Sequence, residues 1–133
     1  MTTYASGSSD GRFDIMSEAC PTRQVVNQIG SRWGLLILTA LEDGTLRFNQ
    51  LKIRVEGISQ KVLTQNLRIL ERDGIVRRRA ILTTPVTVEY SLTALGRELT
   101  SIISQLREWS YAHMDRIEEA RAQYDAGVLS DAD

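Results

Sequence analysis

The sequence predicts a mainly helical α+β fold, and three observations lead to this prediction. Residues 59–73 have an apolar stripe at helical spacing, which is typical of a helix packed on a core. Residues 75–82 and 86–92 are rich in β-branched side chains and are separated by turn residues. A second, much longer helical stripe begins after residue 93. Several helices with one small sheet are therefore expected.

The helix at residues 59–73 is the most informative segment. Leu63, Leu67 and Leu70 follow the i, i+4, i+7 spacing of one apolar face. Ser59 is a good N-cap, and Gly74 follows where a left-handed glycine commonly ends a helix. The opposite face carries side chains that can donate to phosphates and hydrogen-bond the edges of bases, namely Gln60, Lys61, Thr64, Gln65 and Arg68.

Two neighbouring segments make this helix part of a larger motif. A short helix is predicted to start near Arg47, and a break at residues 56–57 separates it from Ser59. A β-hairpin is predicted at residues 75–92, directly after the second helix. Helix, turn, helix and hairpin in this order predict a winged helix-turn-helix in which the hairpin is the wing.

Extra helices are predicted at both ends of this motif. One helix opens at Cys20 and Pro21, because proline is tolerated at the first helical position. A buried helix follows after the break at residues 30–31, and a long final helix begins after Thr93. The fold class is therefore mainly α, with a winged helix-turn-helix between N-terminal and C-terminal helices.

The chain is predicted to form one domain between two irregular ends. Its 133 residues fit a single domain, and 42% hydrophobic residues suffice for a core. Residues 1–17 are small, polar and glycine-rich, which predicts a disordered tail. The winged helix domain is predicted at residues 18–122, and residues 123–133 are expected to fray.

The apolar stripe of the final helix is too long for a core of this size. Its roughly seven turns reach well past a compact winged domain, so part of the stripe should pack on another copy of the chain. A homodimer is therefore predicted, with help from the first helix. The candidate interface residues are Val25, Val26, Leu99, Ile102, Ile103, Leu106 and Trp109.

Composition argues against several classes of protein. The longest apolar run, residues 35–38, is far too short to span a membrane, and the amino end lacks a signal peptide pattern. A cytoplasmic protein without membrane contact is expected, and a single cysteine fits a reducing compartment. His113 is the only histidine. Because no paired nucleophile and base and no metal-ligand cluster are visible, neither catalysis nor a metal or other cofactor is expected.

Charge is distributed unevenly along the chain. The whole sequence has a net charge of −1. Residues 45–79, however, contain nine basic and three acidic residues, which gives a local charge of +6 and leaves −7 for the rest. A basic segment around a helix-turn-helix is the electrostatic footprint of a protein that binds a polyanion.

Double-stranded DNA is the partner that this segment predicts. For the residues on the Ser59 helix, the alternative is an ordinary solvated face. For Arg77 to Arg79, which alternate between the two faces of their strand, the alternative is edge-strand charge that discourages aggregation. Arg47 either contacts the DNA backbone or pairs with Glu42. The candidate DNA contacts are Arg47, Ser59, Gln60, Lys61, Thr64, Gln65, Arg68, Arg77, Arg78 and Arg79.

Cys20 is a candidate redox sensor. Pro21 at the first helical position puts the sulfur beside a helix N-terminus, where the helix dipole favours the thiolate, and Arg23 adds positive charge nearby. The flanking tail should leave the sulfur accessible. The alternative is a small packed side chain, which is the commonest role of a free cysteine.

Seven motifs follow one another at residues 20–21, 29–33, 35–38, 47–51, 57–65, 70–76 and 88–96. In this order they resemble the HxlR-type winged helix-turn-helix transcriptional regulators, which are relatives of the MarR type, over most of residues 20–109. The resemblance implies a homodimer paired through its terminal helices, with the Ser59 helix in the major groove and the hairpin at the minor groove or backbone. The resemblance also supports Cys20 as a candidate redox sensor, since some members use a cysteine at this position for redox sensing. Arg32 replaces a lysine found in many members, and Pro85 is alone where many have two prolines.

The sequence therefore predicts a DNA-binding transcriptional regulator that is sequence-specific and acts as a homodimer on an inverted-repeat operator. A response to redox state or to a small-molecule effector of unknown identity is left open, as is the choice between repressor and activator. The alternative is a winged helix that uses its basic face to dock an acidic protein partner.

Overall fold

The predicted order of the helices and the hairpin is confirmed over residues 13–127, the part of the chain that this computed structural model describes, and a short strand precedes the third helix. A single 3₁₀ turn, Leu41–Asp43, directly follows the second helix. The helices and strands are α1 (Pro21–Ile29), α2 (Arg32–Ala40), β1 (Leu46–Arg47), α3 (Phe48–Arg54), α4 (Gln60–Arg72), β2 (Val76–Ile81), β3 (Thr87–Leu92) and α5 (Ala94–Asp125).

The start of α4 is fixed by its cap and its orientation by its core face. The Ser59 hydroxyl oxygen accepts a hydrogen bond from the backbone N–H of Val62 at 3.1 Å. Leu63, Leu67 and Leu70 are fully or almost fully buried. Burial contributes about 1.5–3 kcal/mol for each such side chain, whereas a cap contributes about 1 kcal/mol. Packing therefore does more than capping to hold α4 against the domain.

The sheet is antiparallel, with the strand order β1-β3-β2. Leu46 and Arg78 both pair with Tyr90, which lies between them on β3. One position along, Arg47 and Arg79 both pair with Glu89. Because side chains alternate along a strand, the buried Tyr90 marks the face of the sheet that packs on the core. The row through Glu89 belongs to the outer face.

The core lies between α2, α3, α4, the sheet and the first half of α5. Ile37 and Leu38 from α2 and Leu51 from α3 are completely buried. From α5, Ile103 belongs to the same buried cluster, and Leu99 packs against it. The other buried residues of α5, Gly96 and Thr100, also lie in its first turns. Most of the length of α5 therefore contributes nothing to this core.

The beginning of α5 is anchored on the turn that ends α4. The Thr93 hydroxyl accepts from the backbone N–H of Gly96 at 3.0 Å and donates to the carbonyl of Gly74 at 2.6 Å. The backbone N–H of Thr93 also donates to the carbonyl of Ile75 at 3.1 Å. A Cβ atom on Gly96 would collide with that same carbonyl. Glycine at position 96 therefore permits direct backbone contact between α5 and the start of β2.

Both ends of the predicted domain differ in detail from the structure. Residues 14–20 form turns, in which Ser17 N–H donates to the carbonyl of Asp14 at 2.9 Å. The rest of the predicted tail at 1–17, residues 1–12, lies outside the described residues. Helix α5 ends at Asp125, so the predicted frayed segment at 123–133 begins inside it, and the left-handed glycine that follows α5 is Gly127. Residues 128–133 also lie outside the described part.

Candidate nucleic-acid interface

The polar face of α4 projects away from the core. Gln60, Lys61, Gln65 and Arg68 are all exposed, on the side of the helix that the buried leucines leave free. Thr64 is half-buried, and its hydroxyl donates to the carbonyl of Gln60 at 2.8 Å. The face therefore presents two amides and two cations, which are the side-chain groups that bond base edges and phosphates.

Ser59, one of the predicted DNA contacts, has a structural role in the helix itself. Its hydroxyl oxygen caps α4, so its oxygen is already committed to the helix. The hydroxyl proton remains available as a donor. The N-cap predicted from the sequence is confirmed at this position.

Arg78 lies beside the polar face of α4. It lines a cleft of about 360 Å³ between α4 and the sheet, together with Arg68 and Glu71. Arg77 and Arg79 are exposed and pair with Ser91 and Glu89 across the sheet. The three arginines are therefore divided, with one next to α4 and two on the outer face.

Arg47 is the N-cap residue of α3, and its side chain is exposed. The backbone N–H of Arg47 donates to the Gln50 side-chain oxygen at 2.8 Å, which satisfies a donor at this helix start. The alternative that Arg47 pairs with Glu42 is wrong, because the Glu42 carboxylate is bound by Arg107 at 2.9 Å. The Arg47 side chain is exposed, and Arg47 pairs with Glu89 on the neighbouring strand β3.

Most of the predicted dimer residues are exposed apolar side chains. Val26, Ile102, Leu106 and Trp109 are between 46% and 63% exposed. Val25 is half-buried and lines an apolar groove of about 350 Å³ between α1 and α5.

Two of the predicted dimer residues on α5 face their own domain. The prediction that Ile103 lies in the dimer interface is wrong. This residue is 3% exposed and packs in the core of its own chain, where a partner cannot reach it. Leu99 is half-buried against the same core. Leu95, which the prediction omitted, is 54% exposed and lines the groove next to Val25. Its signal in the sequence was its place at the start of the apolar stripe.

Cys20 is the N-cap residue of α1, as predicted, but it is buried. Burial raises the pKa of its thiol, whereas the backbone of Arg23, the hydroxyl and backbone of Thr22 and the backbone of Asp14 lower it. The net effect is a pKa below the ordinary value. The expected accessibility is wrong for this structure, because only 4% of the residue surface is exposed beside the turns at 14–20.

The described residues also bear on metals and membranes. Between residues 13 and 127, no three side chains of His, Cys, Asp or Glu come together as a possible metal site. No helix in that stretch is both long and apolar enough to cross a membrane. His113 stacks on Trp109, with 4.7 Å between the ring centroids.

Comparison with known proteins decides what kind of protein has this interface. The HxlR-like helix-turn-helix family matches residues 28–118. The chain belongs to the HxlR-like helix-turn-helix family. The matched stretch includes α2 to β3 and most of α5, and therefore the whole proposed DNA face. Cys20 lies outside it.

Individual HxlR-like relatives agree with this assignment. The chain is 44% identical over 96 residues to the HTH-type transcriptional regulator YtfH of Escherichia coli. The matched stretch is 72% of this chain and 76% of that protein. The solved structure of the putative regulator YtfH from Salmonella typhimurium matches with a TM-score of 0.77 and 39% identity, over 83% of this chain and 98% of the other. The redox regulator HypR in its reduced form matches with a TM-score of 0.69 and 38% identity, over 74% of this chain and 98% of the other.

The HxlR-like assignment fixes the broad activity. The family and its relatives are transcriptional regulators of the helix-turn-helix type, and they are not enzymes. The predicted fold class and the predicted family are confirmed.

Proposed function

We propose that this HxlR-like regulator binds an inverted-repeat operator as a homodimer and reads its sequence with α4. The observation that carries the proposal is the exposed polar face of α4, with Arg78 in the cleft beside it. Amide side chains such as Gln60 and Gln65 suit the edges of bases, whereas arginines on the wing suit phosphates. For a regulator that binds chromosomal DNA, we expect a cytoplasmic location.

The proposed dimer follows from the unused length of α5. Ile102, Leu106 and Trp109 expose more than half of their surface, although all three are large and apolar. A two-fold symmetric interface that covers them removes this surface from water and presents two copies of α4 to one side of a duplex. Half-sites then lie about one helical turn apart, roughly 34–36 Å.

Sedimentation tests the dimer. Leu106→Glu should yield monomers at micromolar concentration, because each symmetric interface would bury two carboxylates without partners. Ile53→Glu is the matched control, since Ile53 is 80% exposed on α3 and lies outside the proposed interface. A wild-type chain that sediments as a monomer at micromolar concentration rejects the dimer.

The alternative is a winged helix that docks an acidic protein on the same basic face. A fall in affinity with rising salt fits both functions. Sequence preference separates them, because only a regulator distinguishes one duplex from another at fixed salt. Selection of duplexes from a random library should return an inverted repeat, and recovery of random sequence would favour the protein-docking function.

A second proposal is thiol-based control through Cys20. It is supported by the place of Cys20 at a helix N-terminus, by its lowered pKa and by the structural likeness to the redox regulator HypR. Diamide removes two hydrogens from two thiols, so the product here is a disulfide between two subunits or with an added small thiol. Because Cys20 is buried, the chain around it must open before it reacts.

Diamide treatment tests the thiol proposal. Wild-type protein should lose binding to the selected duplex and regain it on reduction, whereas Cys20→Ser should bind before and after treatment. Equal loss in both proteins, or no loss in either, would show that Cys20 does not control DNA binding. Non-reducing electrophoresis then tells an inter-subunit disulfide from a mixed one.

A further inference from the structure

A hydrogen bond between two side chains joins α1 to α4. Gln28 Nε2 donates to Asn66 Oδ1 over 2.7 Å, and the two residues are 38 positions apart. Both side chains are half-buried. Asn66 Nδ2 in turn donates to the carbonyl of Val62 at 2.9 Å. Since a backbone carbonyl only accepts, this second bond fixes the Asn66 amide with its oxygen toward Gln28.

The backbone of Gln28 is held as firmly as its side chain. Its carbonyl accepts a hydrogen bond from the Ser31 hydroxyl at 2.7 Å, and the same hydroxyl caps α2 by accepting from the backbone N–H of Gly34 at 3.1 Å. A Cβ atom on Gly34 would collide with the Gln28 carbonyl oxygen. The end of α1 is therefore fixed directly against the start of α2, and Gln28 reaches α4 from that fixed point.

Asn66 is next to the proposed reading face. It follows Gln65 directly and lies on the flank of α4 that faces α1. The leucines of α4 hold the helix by apolar packing, and the hydrophobic effect is non-directional, so it fixes the rotation of α4 about its axis only loosely. A hydrogen bond does have a preferred direction. Because α4 side chains extend about 5–6 Å from the helix axis, a rotation of about 10° moves them by roughly 1 Å. That distance is enough to break a hydrogen bond to a base.

We propose that Gln28 is a positioning residue for operator recognition. Its bond to Asn66 sets the rotation of α4 about its own axis, and the rotation decides how well the α4 side chains match one base sequence. Gln28 acts from α1 through Asn66 and makes no contact with DNA itself. The inference rests on the proposed reading of DNA by α4.

The first test compares a selected duplex with a scrambled duplex of the same length, at fixed salt. Gln28→Met keeps the length of the side chain and removes its amide. The ratio of affinities for the two duplexes should fall about three- to ten-fold, the range expected for loss of one neutral hydrogen bond. Affinity for the scrambled duplex should stay within about two-fold, because contacts to phosphate do not depend on base alignment. Gln24→Met, the same change at an exposed position of α1, should keep the wild-type ratio.

A double-mutant cycle tests whether Gln28 acts through Asn66. Asn66→Leu should lower the same ratio, and Gln28→Met combined with Asn66→Leu should lower it no further than the worse single variant. Independent losses that add would overturn the proposal, as would a wild-type ratio in Gln28→Met. Cooperative thermal unfolding of each variant shows that it is folded.

NMR separates this proposal from the proposed function. The backbone amide resonances of residues 60–68 should shift in Gln28→Met and stay in place in Gln24→Met, without any DNA present. If the wild type selects no sequence, reading by α4 fails, and the positioning of α4 by Gln28 is decided by these resonances alone. Unchanged resonances of α4 in Gln28→Met would overturn the positioning role whatever the DNA experiment shows.

Discussion

Arg107 binds Glu42 through two nitrogens, although 65 positions separate the two residues. Its Nη2 lies 2.9 Å from Glu42 Oε1 and its Nη1 lies 3.1 Å from Oε2. The hydrogen bonds that Arg107 donates to Glu42 raise the pKa of Arg107 above its ordinary value, although burial acts in the opposite direction. This bidentate pair joins the middle of α5 to the 3₁₀ turn after α2. Helix α5 is thus tied to the rest of the domain at a second point beyond its anchored start.

Removal of this pair should loosen α5 from the domain. Arg107→Met should lower the melting temperature and raise amide hydrogen exchange around residue 107, because the half-buried Glu42 carboxylate then loses its partner. Arg116→Met is the matched control, since Arg116 is exposed on the same helix. Equal melting temperatures for the wild type and Arg107→Met would contradict a stabilising role for the pair.

The two proposed classes of DNA contact should respond differently to substitution. Gln65→Ala should cost about 1–3 kcal/mol on the selected duplex and relax the sequence preference, because it removes a base contact. Arg78→Ala should weaken binding to all duplexes alike and reduce the dependence on salt, because it removes a phosphate contact. Titration of both variants against selected and scrambled duplexes at several salt concentrations measures the difference. Equal losses on both duplexes for Gln65→Ala would reject base reading by this residue.

The adjacent residues Ile102 and Ile103 should separate association from folding. Ile103→Ala should lower the free energy of unfolding by about 2–5 kcal/mol at any protein concentration, since it leaves a cavity in the core. Ile102→Ala should act through association, so its effect on unfolding should depend on protein concentration. Denaturant unfolding at two concentrations ten-fold apart distinguishes them. A concentration-dependent effect for Ile103→Ala would contradict its place in the core.

Alkylation should reveal the lowered pKa of Cys20. The chain has one cysteine, so all label reports on this thiol. The pH midpoint for reaction with iodoacetamide should be lower in the folded chain than in urea, and the limiting rate should be slower because the thiol is buried. A midpoint equal to that of the unfolded chain would contradict the lowered pKa.

The lowered pKa of Cys20 also makes the stability of the folded protein depend on pH. Because the folded pKa is lower than the unfolded one, the thiolate contributes stability above the unfolded pKa and loses it as the pH falls through the folded pKa. Cys20→Ser should lack this dependence.

The order of helices and strands was readable from the sequence because local signals mark it. Ser59 and Thr93 are hydroxyl caps, and Leu63, Leu67 and Leu70 form an unbroken stripe. The candidate DNA contacts on α4 could be predicted for the same reason, since they occupy the face of the helix opposite the leucine stripe.

What the sequence did not reveal depends on tertiary contacts. Ile102 and Ile103 both fit the apolar pattern of α5, and only packing against the core shows which of them faces inward. The Gln28 to Asn66 bond and the Arg107 to Glu42 pair join residues far apart in the chain, and no periodic pattern marks either. The burial of Cys20 is a further example, because the turns beside it at residues 14–20 lie in a segment that has no apolar period.

The anchored start of α5 makes this helix a lever. Its 32 residues form a rod about 48 Å long, and its first turn is held by the Thr93 contacts to the turn that ends α4. Beyond the Arg107 to Glu42 pair, the rest of α5 extends about 27 Å, so a tilt of about 5° at that pair would displace the far end by roughly 2 Å. Conversely, if the C-terminal end of α5 is held in place, α5 can tilt only slightly, and so can α4, which is attached to its start. Two such rods joined side by side would therefore limit how far the two copies of α4 can move relative to each other.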